Sequence, residues 1–248
     1  MSAPVIHLVL LAGGQGTRAR RRAAQPPKQF RTAAGRPLLA WPLAELATAA
    51  GVASVTVACG EPWRPLVRDA ARDAGLAVPL LLADPGPTRT ASTWSALQRL
   101  AAELAPAPDH LAAVHDAARP FATRALLERL AAAAVRHGGA VPGVPVADTV
   151  VTVAGGETGV ETGVAYLERA ALRAVQTPQV FRWEPLFAAH AWAAAAGRGF
   201  TDDGGLLAAR GAPPVVVPGD PDNWKVTTAG DLERARRLLR RRRAGGTP

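Results

Sequence analysis

The residues near the N-terminus best suited to chemistry lie in LLAGGQGTRARRRAAQPPKQF, residues 10–30. An apolar run ends there in glycines, and a stretch of positive charges with no negative one follows. Three chemistries compete for it: a loop that wraps a phosphate chain, a dinucleotide-binding turn, and a basic patch for nucleic acid. Gly14, Gly16 and Ala19 fit the spacing G-x-G-x-x-G/A. That fingerprint also needs an acid about 20 residues on to hold a ribose, and the first acid in the chain is Glu45. The Gly-Lys-Ser/Thr ending of a P-loop is absent as well. What is left is a glycine loop whose backbone N–H groups can approach phosphate oxygens, with Arg18 and Lys28 to neutralise a triphosphate. A basic surface loop is the plainer alternative.

A second group lies in HDAARPF, residues 115–121. Asp116 directly follows an expected buried strand, Arg119 comes three residues on, and Pro120 closes the turn. An acid at a strand end is placed to hold Mg²⁺, which takes hard oxygen ligands and bridges phosphates; a helix cap is the other reading. Thr201-Asp202-Asp203 resembles a metal pair but reads more simply as a helix start, with Thr201 as cap and two carboxylates on the positive end of the helix dipole. Asp220 and Asp222, just before Asn223-Trp224-Lys225, are candidates for a second acidic ligand, and the spacing does not choose between them. The single cysteine, Cys59, excludes an internal disulfide and a thiolate cluster and reads as a buried strand residue.

These residues need elements to position them. Strands are expected at 5–12, 52–58, 78–83, 110–116, 139–144 and 213–218, with helices near 37–50, 62–74, 91–104, 123–137, 184–196, 203–210 and 229–242. Continuous apolar strands alternating with helices predict an α/β fold, a mostly parallel sheet with helices on both faces. Such sheets bind ligands at the carboxyl ends of their strands. AGGQG, DPGPTRTAS and HDAARP follow the first, third and fourth strands. One segment breaks the alternation: residues 147–173 read as a β-hairpin with a GGE turn, an arm with too little core to stand alone. No linker divides the chain, so a single domain over 1–248 with an arm at about 147–168 is expected.

Composition narrows the classes further. The chain has 48% hydrophobic and 20% charged residues, and no apolar run approaches the roughly 18 residues of a membrane span. The N-terminus has no positively charged region ahead of its apolar run, so it reads as a first strand and not a signal peptide, with the cytoplasm as the expected location. A net charge of +9 suits polyanionic partners such as nucleic acid, acidic lipid or nucleoside triphosphates. Much of it sits in ERARRLLRRRR at 233–243, which reads as a solvated helix face with a frayed end.

In order along the chain, LAGGQGTR with PPKQF, TRTAS, VHDAARP, ADT, ERAALRAVQTPQVF, TDD and NWKVTTAGDL together resemble the 2-C-methyl-D-erythritol 4-phosphate cytidylyltransferase family, from about residue 5 to 240. The resemblance implies a Rossmann-like nucleotidyltransferase fold, a homodimer formed through a protruding arm, and a reaction of CTP with a sugar-alcohol phosphate that gives a CDP-alcohol and pyrophosphate. Carried over by motif, Gly14, Gly16 and Arg18 would cradle the β- and γ-phosphates, Lys28 would meet the α-phosphate, Lys225 would supply a second cation, and Asp116 would hold Mg²⁺. Gly86, Arg89 and Ser92, with the backbone around Ala12 and Gly13, would read cytosine, although Ser92 also suits a helix cap or first turn. Arg119, Thr149, Arg169 and Thr177 match positions that bind the acceptor phosphate, with Thr149 and Arg169 donated from the partner's arm.

Departures fall on the acceptor side and the base loop. LAGG with PKQF is closer to the related ribitol-5-phosphate cytidylyltransferases, Pro87 stands where an acid is common, and Trp224 replaces a usual aliphatic. Ribitol 5-phosphate and a phosphonate are therefore alternative acceptors. Two other classes fit worse. A nucleic-acid-binding protein would interleave aromatics with its arginines, and aromatics are only 5% here. A dehydrogenase would need the missing ribose acid.

Overall fold

The computed structural model describes residues 3–14, 26–155 and 161–243. In chain order its elements are β1 (Ile6–Leu11), β2 (Thr32–Ala33), β3 (Arg36–Pro37), α1 (Ala40–Leu46), β4 (Val52–Ala58), α2 (Arg64–Asp73), β5 (Leu80–Ala83), α3 (Arg89–Leu104), β6 (Leu111–Asp116), α4 (Arg124–His137), β7 (Gly139–Pro145), β8 (Val151–Ala154), β9 (Thr162–Tyr166), β10 (Arg173–Val175), β11 (Gln179–Arg182), α5 (Trp183–Ala195), α6 (Asp203–Ala209), β12 (Val215–Pro218) and α7 (Ala229–Arg243). All six expected strands and all seven expected helices are present. No described helix is long and apolar enough to cross a membrane.

β1 sits between β4 and β6, parallel to both, and β5 extends the sheet parallel beyond β4. β1 shows why such a strand is apolar throughout. Ile6, Leu8 and Leu10 enter a core with α1, α2 and α4, while Val9 faces the core built with α3, α5 and α6. With helices on both faces, the strand is buried from Ile6 to Leu10. Thr88 and Thr123 cap α3 and α4, each accepting a backbone N–H three residues on, which satisfies a donor the helix start leaves open.

The sheet is not wholly parallel. β11 lies antiparallel between β6 and β7, β10 pairs antiparallel with β7, and β12 runs parallel along the other edge of β7. These two antiparallel strands are missing from the sequence reading because three or four residues are too few to show a period. The arm forms as expected. β8 and β9 pair antiparallel as a separate two-stranded sheet, and the expected GGE turn extends into residues outside those described.

A third apolar cluster joins α7 to the site. Leu232, Ala235 and Leu239 pack with Ala33, Leu38, Trp41, Phe121 and Val226. The arginines of α7 are not simply a solvated face. Arg236 Nε donates to the carbonyl of Thr32, Arg243 Nη1 donates to that of Ala34, Arg234 lies over Trp224 and Arg242 over Phe121.

Candidate active site

The carboxyl ends of β1, β5 and β6 open on a cavity of about 420 Å³. Gly13, Gly14, Lys28, Gly86, Arg89, Ser92, Asp116 and Lys225 line it, together with Gln29 and Thr227. Residues spread over most of the chain thus meet because their strands are neighbours in one parallel sheet, as the motif order implied.

Two glycines allow the loops to close on one another. A Cβ on Gly13 would stand 2.3 Å from Cβ of Pro85, and one on Gly86 would stand 2.4 Å from Cβ of Ala91, far inside contact distance. Gln29 fixes the first loop: its buried amide donates to the carbonyls of Ala12 and Gly14 at 2.6 and 2.7 Å. Ala12 itself is buried and contributes backbone only. Ser92 lies in the first turn of α3, and its hydroxyl oxygen accepts the Gly86 N–H at 3.1 Å. Gly16 and Arg18 lie outside the described residues.

Asp116 is the electrostatic centre. Lys225 Nζ donates to its Oδ2 at 2.7 Å, and Arg89 Nε lies 3.5 Å from Oδ1. Burial alone would raise this carboxyl, but Lys225, Arg89 and Arg119 outweigh it and hold it well below the usual carboxylate range. Asp116 is therefore an anion throughout the neutral range.

The layer beneath Asp116 is fixed by hydrogen bonds. His115 is fully buried, and burial pushes its imidazole down to about 4, so the ring is neutral. Its Nε2 faces the carbonyl of Arg119 at 3.1 Å, which can only accept, so the proton is on Nε2. Nδ1 then accepts from the Thr177 hydroxyl at 3.1 Å, and the oxygen of that hydroxyl accepts the Asp116 N–H at 3.0 Å. Thr177, expected on the acceptor phosphate, is buried with its hydroxyl engaged on both sides. Asn223 Nδ2 donates to the Thr177 carbonyl, and the Asn223 carbonyl accepts from Arg119 Nη1, both at 2.8 Å.

The remaining expected residues lie elsewhere. Thr149 and Arg169 are exposed at the base of the arm, where Arg169 Nη1 donates to the carbonyl of Ala147; neither lines the cavity of its own chain. Asp222 is exposed and outside the lining, and its N–H donates to Asp220 Oδ1. The TDD reading needs correction. Asp202, not Thr201, caps α6, accepting the Gly205 N–H at 2.8 Å. Asp203 does not act chiefly on the helix dipole. Buried on α6, it takes Arg89 Nη1 at 2.9 Å and His190 Nε2 at 2.9 Å. Gln29 and His115 lie inside the motifs PPKQF and HDAARPF, but the sequence gives them no role; Asp203 reads there as part of a helix start and Asn223 only as a neighbour of Lys225.

Among the described residues no three His, Cys, Asp or Glu side chains gather as a metal centre. Asp116 is the one carboxylate lining the cavity. One hard oxygen donor beside a basic pocket suits Mg²⁺, which is commonly held by one or two carboxylates with substrate phosphates completing its shell.

A family model described as 2-C-methyl-D-erythritol 4-phosphate cytidylyltransferase matches residues 6–241. The 2-C-methyl-D-erythritol 4-phosphate cytidylyltransferase of Gloeobacter violaceus is 38% identical over 236 residues, covering 95% of this chain and 96% of that protein. The chain belongs to this family. It is therefore a nucleotidyltransferase. A 2-C-methyl-D-erythritol 4-phosphate cytidylyltransferase structure from Thermus thermophilus shares the fold with a TM-score of 0.70 and 33% identity, covering 97% of this chain and all of that one. The "Bifunctional enzyme IspD/IspF" of Rhodospirillum rubrum is 40% identical over 238 residues. This chain spans 58% of that longer protein's length, so the family match accounts for one part of it.

Proposed function

We propose that this cytidylyltransferase transfers CMP from CTP to 2-C-methyl-D-erythritol 4-phosphate, releasing pyrophosphate in the synthesis of isoprenoid precursors. The convergence of Lys28, Asp116 and Lys225 with the glycine loop on one cavity carries the reading. An oxygen of the acceptor phosphate attacks the α-phosphorus of CTP. The new O–P bond forms as the bond to the β-phosphate oxygen breaks, and pyrophosphate leaves with the electron pair. Such a reaction asks for positioning and for stabilisation of spreading negative charge. Gly14, with nothing within 4 Å of where its Cβ would stand, leaves room for the triphosphate, and Lys28 and Lys225 would meet the α-phosphate. Gly86 and Ser92 hold the rim on which the base would rest. Mg²⁺, held on Asp116, would supply charge neutralisation between the phosphates.

The acceptor site is completed by a second copy in this reading. Thr149 and Arg169, at the base of the arm, do not line the cavity of their own chain, and the arm carries apolar side chains in the open: Val153, Val164 and Tyr166 are 47%, 64% and 77% exposed. Apolar surface of that kind on a two-stranded ribbon is suited to burial against a partner. Both substrates are small, highly charged molecules, which favours a cytoplasmic enzyme.

Pyrophosphate release tests the proposal, with CTP and Mg²⁺ against 2-C-methyl-D-erythritol 4-phosphate, ribitol 5-phosphate, glycerol 3-phosphate and a hydroxyalkylphosphonate. Turnover on the first is expected. Lys28→Ala and Lys225→Ala should each lower kcat by about 100-fold or more, the scale of losing one charge-stabilising donor, with circular dichroism unchanged. Turnover on another acceptor alone would keep the chemistry and change the pathway; wild-type rates in both lysine variants would refute the site.

A further inference from the structure

Behind the cavity a row of alternating charges, Lys225, Asp116, Arg89 and Asp203, runs inward from the solvent and ends against the buried His190. Within it, Arg89 is held more closely by the inner acid than by the outer one. Arg89 Nη1 forms an ion pair with Asp203 Oδ2 at 2.9 Å, whereas Arg89 Nε is 3.5 Å from Asp116 Oδ1. Asp203 and the residues beside it are held by further hydrogen bonds. His190, itself fully buried, donates from Nε2 to Oδ1. The Asp203 and Gly204 N–H groups donate to Gln179 Oε1 at 3.1 Å, and Gln179 Nε2 donates to Asp202 Oδ2 at 2.8 Å. A second bolt joins the same two segments. Thr90, next to Arg89 at the start of α3, donates to the Phe200 carbonyl and accepts the Phe200 N–H at 3.0 and 2.8 Å.

An Arg fork and a carboxylate that are free to meet form a bidentate pair. Here the fork is split between two acids, and its Nη2 has no hydrogen-bond partner among the described residues. We infer that Asp203 is a positioning residue, which anchors Arg89 at the rear of the cavity so that Asp116 is not closed off by a bidentate arginine and keeps a carboxylate edge for a divalent cation. The inference rests on the proposed CTP site and deepens it. It assigns to a buried aspartate on α6, which touches no substrate, control over how Asp116 is presented.

The test is Asp203→Asn, which keeps shape and removes the anchoring charge, in the wild-type and the Arg89→Met backgrounds. Binding of CTP is read by calorimetry, Mn²⁺ bound to the enzyme with CTP by electron paramagnetic resonance, and kcat and KM by pyrophosphate release. In the wild-type background we expect Mn²⁺ affinity to fall by about 10-fold, the usual scale for removing an outer-shell partner of a metal ligand, with the half-saturating Mg²⁺ concentration rising in step. In the Arg89→Met background the same change should leave Mn²⁺ affinity unaltered, because no guanidinium is left to collapse onto Asp116. An equal loss in both backgrounds would make Asp203 merely structural and overturn the inference, as would unchanged Mn²⁺ affinity in the first. Should Asp203→Asn fail to fold, His190→Gln loosens the anchor from behind; it should give a smaller loss of Mn²⁺ affinity, again only where Arg89 is present, and no loss would count against the inference. Wild-type protein that binds CTP normally while Asp203→Asn shows no effect defeats this inference alone; wild-type protein that binds no CTP defeats the reading beneath it.

Discussion

His115 stands beside the charged centre of the site, yet its environment keeps it from any proton transfer at neutral pH. Burial holds its imidazole near 4, and His7, buried against Ser54 and His110, is pushed to about 4 by burial first and by His110 second. Both sit below the usual 6.5, so between about 4 and 6.5 the unfolded chain binds protons that the native protein does not. Stability must then rise with pH through that window and be lost as pH falls. For His115 the loss from pH 7 to pH 5 is about 2 kcal/mol, and His7 adds in the same direction. Urea unfolding at the two pH values should show it, and His7→Gln should flatten the slope; a flat profile in the wild type would mean that these rings are charged in the native state. Asp116 is depressed too, but its contribution is lost only below about pH 4, outside that range. Residue types announced Lys28 and Asp116, because a cation and an acid at the ends of strands with a glycine loop imply phosphate chemistry; Lys225 came only from the family resemblance. Nothing in their types announced His115 or Asp203. Their roles come from what the fold sets against them, and a lone His or Asp in sequence carries no trace of its partner.

At the scale of elements, the loop carrying Lys225 depends on α7. Trp224 packs on Phe121 with ring centroids 5.1 Å apart, and Arg234 and Arg242 lie over the two rings. Phe121 follows Asp116 in the same turn region, and Val226 N–H donates to the Ala118 carbonyl. The two strands of chain that bear the Asp116–Lys225 pair are thus clasped by backbone, by aromatic contact and by the helix behind them. Trp224→Ala should lower unfolding free energy by about 2 kcal/mol, from lost ring contact and packing, and reduce kcat more than CTP affinity. Trp224→Phe should restore most of both. Equal kcat in the alanine variant would show that Lys225 is placed by its ion pair alone. The long elements were legible because apolar periodicity outlasts local noise. The clasp was not: the arginine run of α7 has the composition of a solvated face, and only the position of Thr32, Ala34, Trp224 and Phe121 beneath it turns four of those side chains into contacts. β11 escaped for a related reason. QVFR is too short to show a pattern, and it lies between β6 and β7 because the chain must return antiparallel there.

For the whole molecule, the arm decides whether one chain is enough. Leu167 N–H donates to the Val150 carbonyl at 2.9 Å, so the hairpin leaves the body at a closed neck. Residues 151–166 can be replaced by two glycines without moving either end. The cavity with Lys28, Asp116 and Lys225 lies entirely within the remaining chain. The shortened protein should therefore keep its thermal midpoint and its CTP affinity, while light scattering shows a monomer where the full chain gives a dimer. Arg169 stays in the shortened chain, but if the arm forms the proposed dimer its loss would take Arg169 away from the neighbouring cavity. Losing one charged contact to a phosphate removes about 1.5–3 kcal/mol, so KM for the acceptor should rise by at least about 10-fold. A monomer with an unchanged acceptor KM would show that each chain binds the acceptor alone. A shortened chain that remains dimeric would place the partner contact on the body of the fold, and the exposed valines and Tyr166 of the arm would need another cover.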